Sequence, residues 1–214
     1  MKQVVIFDLD GTLVRTIGDI TGALNYALTE CGHPALTEPQ VEAIVGYSTE
    51  YMFQHAVPAD AYEDWKKLGA LFDRYYRQHS CDVSRPYDGM MTALTRLKAA
   101  GAKLGVISNK PHAHTLIVME KLFPCNMFSL ILGRMDKFAL KPAADALHFG
   151  LEQLGGTAEN AVYVGDSEVD VLFAKNAGIP CLSVSWGYRS RKQLLEAGAT
   201  QIIDDPGELC DLLL

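Results

Sequence analysis

No stretch of this 214-residue sequence approaches the apolar length needed to cross a bilayer, and no two of its cysteines form a Cys-x-x-Cys pair. The five cysteines, at 31, 81, 125, 181 and 210, are odd in number and widely spaced, which argues against a disulfide framework or a zinc site. Positive charge is also in deficit. Nineteen Lys and Arg stand against 26 Asp and Glu, a formal net charge of −7, so a sequence-independent grip on nucleic acid or anionic lipid is not expected. Internal repeats and low-complexity segments are missing. The start, Met1-Lys2-Gln3, runs straight into Val4-Val5-Ile6-Phe7, too short an apolar run for an export leader. The expected location is cytoplasmic, with no membrane or nucleic-acid partner and with a monomer or homodimer as the assembly.

What is present is an average globular balance, 49% hydrophobic and 21% charged, enough to build a full core. Short β-branched runs recur at Val4 to Phe7, Leu104 to Ile107, Leu130 to Leu132, Ala161 to Val164, Cys181 to Val184 and Gln201 to Ile203. Helical patterns separate most of them, which predicts an α/β fold, a doubly wound, Rossmann-like parallel sheet. From about Arg15 to Ser84 the periodicity is helical throughout, as in Ile20, Leu24, Ala27, Leu28 and Leu68, Leu71, Phe72, Tyr75. This interval reads as a small helical cap inserted after the first strand. The expected division is a core of residues 1–14 and 85–214 and a cap of residues 15–84.

The first strand-like run ends in Asp8-Leu9-Asp10-Gly11-Thr12-Leu13, which sets two carboxylates at the C-terminal edge of a buried strand, where open α/β sheets bind ligands. Residues two apart on a strand share a face, but a turn starting at Gly11 can re-aim the second carboxylate. Phosphoryl transfer needs such a pair. One ionised carboxylate attacks beside a hard cation; the other gives a proton to the leaving oxygen and takes one from water. Asp8 and Asp10 suit these roles in that order. The plainer alternative is an Asp-Gly turn closing a βα loop.

Asp8-x-Asp10-Gly11-Thr12 resembles the first motif of the haloacid dehalogenase superfamily, and three further stretches resemble its remaining motifs in order. Val106-Ile107-Ser108-Asn109-Lys110 is similar to the second, Lys141-Pro142 to the third, and Val164-Gly165-Asp166-Ser167-Glu168-Val169-Asp170 to the fourth. Ala144 stands where a second Pro is frequent in the third motif. The resemblance implies a nucleophile at Asp8 and a general acid/base at Asp10. It also implies a hydroxyl at Ser108 for a phosphoryl oxygen and an ammonium at Lys141 that steadies the nucleophile and the phosphoryl charge. Mg²⁺ is implied at a carboxylate oxygen of Asp8, the backbone carbonyl of Asp10 and a carboxylate oxygen of Asp166, with Asp170 behind them, acting through a water or holding Lys141. Asn109 and Thr12 are placed beside the substrate. Ser108 could equally cap the next helix, with Pro111 just inside it, and Asp170 could simply face a helix N-terminus.

The second carboxylate separates reaction classes, because members that cleave carbon–halogen bonds lack it and phosphate-ester hydrolysis needs it. The implied protein is an enzyme, a phosphatase acting on a small phosphorylated metabolite. Gly32-His33-Pro34-Ala35-Leu36-Thr37, Val45-Gly46, Asn109-Lys110-Pro111 and Trp186-Gly187-Tyr188-Arg189 resemble the phosphoglycolate phosphatase group, which makes 2-phosphoglycolate the first choice of substrate. Arg15-Thr16 departs from the Asp-Ser of many relatives. Arg15 either supplies a cation for a substrate carboxylate or is a solvated hinge residue. A pyrophosphatase, a sugar phosphatase or a phosphosugar mutase of the same superfamily are rivals. The rivals of another class are a phospho-receiver, which leaves the helical insert and the Asp166/Asp170 pair unexplained, and a non-catalytic regulatory homologue, against which the intact acid/base, hydroxyl, Lys and metal positions speak.

Overall fold

The computed structural model describes residues 2–214, apart from the side chains at 60, 62 and 63; Met1, counted with the core above, lies outside the described residues. Six parallel strands form one sheet in the order β5-β4-β1-β6-β7-β8, where β1 is Val4–Phe7, β4 Lys103–Pro111, β5 Leu130–Arg134, β6 Ala161–Gly165, β7 Cys181–Val184 and β8 Ile202–Ile203. All six apolar runs of the sequence are strands of this sheet. The chain winds from β1 outward through β4 to β5, then returns to place β6 on the other side of β1. The strand order reverses at β1, and open α/β sheets bind ligands in the crevice at that reversal.

Strand β1 is buried on both faces, as its unbroken Val4-Val5-Ile6-Phe7 run requires. Side-chain alternation sends Val5 and Phe7 to one face and Val4 and Ile6 to the other. The first face is covered by α5 (Met90–Ala99), α6 (His112–Leu122) and α10 (Glu208–Leu213), through Leu94, Leu97, Val118 and Leu209. The second is covered by α7 (Asp145–Leu154) and α8 (Glu168–Asn176), through Leu147, Leu151 and Phe173. Helix α9 (Arg191–Glu196) packs Leu194 against the sheet's β8 end. No helix among the described residues is long and apolar enough to cross a membrane.

Between β1 and α5 the chain makes a helical module with its own apolar core. It comprises α1 (Ile17–Glu30), α2 (Glu38–Glu42), α3 (Thr49–Ala56) and α4 (Trp65–His79), with a 3-10 turn at Ala59–Asp64. Ile17, Ile20, Leu24 and Leu28 recur at helical spacing on α1 and meet Leu68, Phe72 and Tyr76 of α4. The way in and the way out run side by side: β2 (Val14–Arg15) pairs antiparallel with β3 (Arg85–Pro86). Two residues per strand are too few to show a periodicity, so this ribbon was not foreseen. Asp19, buried in the first turn of α1, ties the exit segment by accepting from the N–H groups of Val83 and Ser84, at 3.1 Å and 2.8 Å.

Candidate active site

Asp8 follows β1 and still donates its N–H to the Val164 carbonyl at 2.9 Å, so its backbone is fixed by the sheet. The chain then turns at Gly11, whose φ of +86° suits glycine. The turn parts the two carboxylates. Asp8 Oδ1 accepts from Lys141 Nζ at 2.9 Å. Asp10 instead accepts from the Thr16 hydroxyl at 2.6 Å and from Lys110 Nζ at 3.0 Å and 3.1 Å.

Strand β4 supplies the next groups through an irregularity. Ile107 pairs with Leu132 and Pro111 with Arg134, so four steps on β4 oppose two on β5. Such bulges take residues out of the ladder and re-aim their side chains. Here they present Ser108, Asn109 and Lys110. Ser108 is buried and lines a pocket together with Asp8, Asp10 and Lys110. It caps no helix, because the strand continues through Pro111 and α6 starts at His112.

Lys141 has all three of its N–H bonds engaged, by Asp8, by Asp170 Oδ1 at 2.7 Å and by the Tyr163 hydroxyl at 2.9 Å. Burial pulls the lysine pKa down, but Asp170 and Asp8 outweigh it and hold the ammonium above its usual value. Asp170 serves two ends at once. Its Oδ2 accepts from the Ser167 N–H and hydroxyl, forming a capping box at the start of α8. The helix-facing and Lys141-holding readings of Asp170 therefore both describe the same side chain.

Asp166 is held by the Thr12 hydroxyl on Oδ1, at 2.8 Å, and by the Tyr188 N–H on Oδ2, at 2.9 Å. Gly11 and Gly187 press so close that a Cβ on either would run into the Asp166 side chain. Carboxylate oxygens of Asp8, Asp166 and Asp170 lie within 4.8 Å of one another, all buried. Burial, with Asp170 and Asp8 adding and Tyr188 and Thr12 opposing, raises Asp166 to about 8. Burial also raises Asp8 to about 6, against the pull of Lys141 and with Asp170 and Asp10 adding. Hard oxygen donors that repel one another in a buried cleft fit a hard divalent cation, whose charge would relieve that repulsion.

Three residues expected at the substrate are engaged with other partners. Thr12 is fully buried and faces Asp166. Asn109 borders the pocket, but its amide is spent on backbone: Nδ2 donates to Tyr47 O at 2.6 Å and to Gly46 O and Lys141 O at 3.2 Å, and Oδ1 accepts from the Lys141 N–H at 2.9 Å. Arg15 lies in β2 with its guanidinium on the surface, paired to Glu38 at 3.0 Å, so it brings no cation to the pocket. Conversely, Lys110, Thr16 and Tyr188 belong to the site and were not singled out. Lys110 and Tyr188 stood in the very stretches that carry the subgroup resemblance.

The helical module closes over this edge. Its side of the pocket is Ile20, Val45, Ser48, Thr49, Met52 and Phe72. Arg189 reaches from the core to the Glu42 carbonyl at 2.7 Å and the Val45 carbonyl at 3.0 Å while pairing with Glu168 at 2.9 Å, and Glu168 also accepts from the Tyr47 hydroxyl. Arg134 pairs with Glu50, and His114 with Asp73 at 2.8 Å. Buried arginine bonded to backbone carbonyls and a carboxylate makes a directional clasp, because the guanidinium fork fixes several acceptors at once.

Residues 5–184 match the haloacid dehalogenase-like hydrolase family. The chain belongs to that family. A phosphoglycolate phosphatase of Mesorhizobium japonicum is 34% identical over 195 residues, covering 89% of this chain and 86% of its own. One from Colwellia psychrerythraea is 31% identical, covering 97% and 95%. Among solved structures, a Haemophilus somnus protein described as a predicted phosphoglycolate phosphatase superposes with a TM-score of 0.93 at 26% identity, covering 100% of this chain and 98% of its own. Family, fold and relatives together make the enzyme a phosphatase.

Proposed function

We propose that the enzyme hydrolyses a small phosphate monoester through an aspartyl phosphate on Asp8, with 2-phosphoglycolate as the substrate. The observation that carries this reading is the parting of two neighbouring carboxylates. Asp8 faces Lys141 beside Asp166, and Asp10 faces Thr16 and Lys110 across the same pocket. One is placed to attack, the other to handle protons. In the first step an Asp8 oxygen bonds phosphorus, the bond to the ester oxygen breaks, and Asp10 protonates the departing alkoxide. In the second, water attacks the same phosphorus, Asp10 takes its proton, and the Asp8 carboxylate returns as phosphate leaves. Lys141 offsets the repulsion between Asp8 and an incoming dianion, and the Ser108 hydroxyl can donate to a phosphoryl oxygen without adding charge.

Asp8 and Asp166, with the Asp10 backbone carbonyl, would hold Mg²⁺; Asp170 is already taken by Lys141 and Ser167. Bound Mg²⁺ supplies fixed positive charge for the phosphoryl oxygens. The helical module acts as a cap whose apolar side chains exclude water. Ile20, Val45, Met52 and Phe72 form its apolar part, beside the hydroxyl side chains of Tyr47, Ser48 and Thr49. The names of the relatives support 2-phosphoglycolate as the substrate.

Phosphate release from 2-phosphoglycolate, sugar phosphates, nucleoside monophosphates and pyrophosphate, with Mg²⁺ and with chelator, tests the reading. A sharp preference for 2-phosphoglycolate, silenced by chelator and by Asp8→Asn, is expected. Substantial turnover by a folded Asp8→Asn protein would overturn the nucleophile; indifference to chelator would overturn the metal.

A further inference from the structure

The Tyr163 hydroxyl joins three parts of the site and makes no bond to phosphorus itself. It accepts from Lys141 Nζ at 2.9 Å, donates to the Ile107 carbonyl at 2.9 Å and lies 3.3 Å from Asp170 Oδ1. Tyr163 belongs to β6 and Ile107 to β4, with β1 between them, so the phenol reaches across the strand that leads into Asp8. The residue is fully buried, and Phe173 stands edge-on to its ring at 5.1 Å. Packing accounts for the ring. It does not account for the hydroxyl, whose burial is costly unless it is paired.

Lys141 lies between two carboxylates that compete for it, Asp170 Oδ1 at 2.7 Å and Asp8 Oδ1 at 2.9 Å. Its ammonium has three donors that rotate together, so fixing the direction of one fixes the other two. The Tyr163 oxygen is the third acceptor, and it is immobile because its own hydrogen is spent on a backbone carbonyl of the sheet. Its neutrality matters as much. Burial, with Asp170 and Asp8 adding, pushes the phenol well above its usual pKa and keeps it un-ionised. A third carboxylate at this point would repel an incoming phosphate dianion, whereas a phenol supplies a lone pair without that charge. Ile107 is also the last regularly paired residue before the bulge that presents Ser108, so pinning the bulge is the rival role for the same hydroxyl.

We propose that Tyr163 is the positioning residue for Lys141: its hydroxyl, anchored on the Ile107 carbonyl, sets the rotation of the ammonium so that one N–H stays on Asp8 through phosphoryl transfer. The proposal rests on the reading of Asp8 as nucleophile and Lys141 as its countercharge. Without the hydroxyl the ammonium is free to turn toward Asp170, and Asp8 meets the phosphoryl group with less of its charge offset. That loss falls on the transition state more than on binding of the ester, which makes kcat the affected constant.

Tyr163→Phe removes the hydroxyl and keeps the ring against Phe173. With p-nitrophenyl phosphate, a general monoester, and Mg²⁺, kcat should fall roughly 10- to 100-fold, the worth of a hydrogen bond to a charged group, with little change in KM. An unchanged kcat overturns the proposal. The same substitution is then made in Lys141→Met and in Ser108→Ala, with enzyme concentration raised to follow the slow variants. If Tyr163 acts through Lys141, its cost vanishes in Lys141→Met and survives in Ser108→Ala, because groups acting through one another are not additive. An equal cost in every background marks a structural role, and a cost that vanishes only in Ser108→Ala marks a role in the bulge; either result overturns the proposal. Should Tyr163→Phe not fold, Tyr163→3-fluorotyrosine keeps the hydroxyl and weakens its lone pairs. A smaller fall in kcat is then expected, and a wild-type kcat refutes the link. No phosphate release by wild type overturns the reading of Asp8 and Lys141 and the proposal with it.

Discussion

Asn109 grips Lys141 at both ends of its backbone unit, accepting from the Lys141 N–H at 2.9 Å and donating to the Lys141 carbonyl at 3.2 Å. The same amide holds the Gly46 and Tyr47 carbonyls of the helical module. A single side chain thus sets the ammonium beside Asp8 and anchors the lid above it. Asn109→Ala would leave buried backbone groups unpaired, at about 1–3 kcal/mol each. Thermal unfolding should show the lowered stability. Steady-state kinetics should show kcat falling with little change in the choice between esters, and an unaltered kcat would refute the link.

Added Mg²⁺ should raise the unfolding temperature, since a ligand at 100 times its Kd stabilises by about 2.7 kcal/mol. Asp166→Asn should abolish that shift while leaving the metal-free protein as stable as wild type or more so, because burial and its carboxylate neighbours oppose ionisation of Asp166. A variant that keeps the full Mg²⁺ shift would remove Asp166 from the metal site.

Gly187→Ala places a methyl against Asp166. Overpacking of this kind costs about 1–3 kcal/mol, and here it is relieved by moving a proposed metal ligand. The expected signature is a weaker Mg²⁺ dependence of activity, read from titration of rate against metal concentration. Wild-type metal dependence would mean that the loop yields instead.

His114 predicts an acid-side slope in stability. Its folded pKa of about 4 lies below the unfolded value of 6.5, so the unfolded chain binds the extra proton first as pH falls. The contribution is complete above pH 6.5 and is lost on descent to about pH 4, for a total of roughly 3 kcal/mol. Urea unfolding of wild type and His114→Gln across this window should differ by that slope; parallel curves would show a charged His114 paired with Asp73.

The six strands and the helical insert were legible in local pattern, as β-branched runs and helical spacing, whereas Asp8, Asp10, Ser108, Lys141 and Asp166 were drawn together only by the resemblance of four motifs in order, since a Ser at a strand end or a Lys-Pro in a loop says little alone. What was not legible depends on distant neighbours. Arg15 stood open between a substrate cation and a solvated hinge residue, and only its pairing with Glu38 on the surface favours the second. Thr12 and Asn109 looked like substrate contacts, yet their partners, Asp166 and Lys141, stand 154 and 32 positions away. Lys110 was hidden in a motif whose neighbours drew the attention, and its tie to Asp10 spans 100 positions.

The two-residue ribbon of Val14–Arg15 against Arg85–Pro86 brings the entry and exit of the helical module to adjacent backbone positions. Antiparallel neighbours stand only about 4.5–5.5 Å apart, so the sheet sees the whole excursion as little more than a short loop. A lineage could therefore trade one lid for another, or lengthen it, without disturbing the strand that carries Asp8. Chemistry and substrate choice can drift separately in such a chain, except at the residues that reach across the seam, and those are where an exchanged lid would first have to be matched.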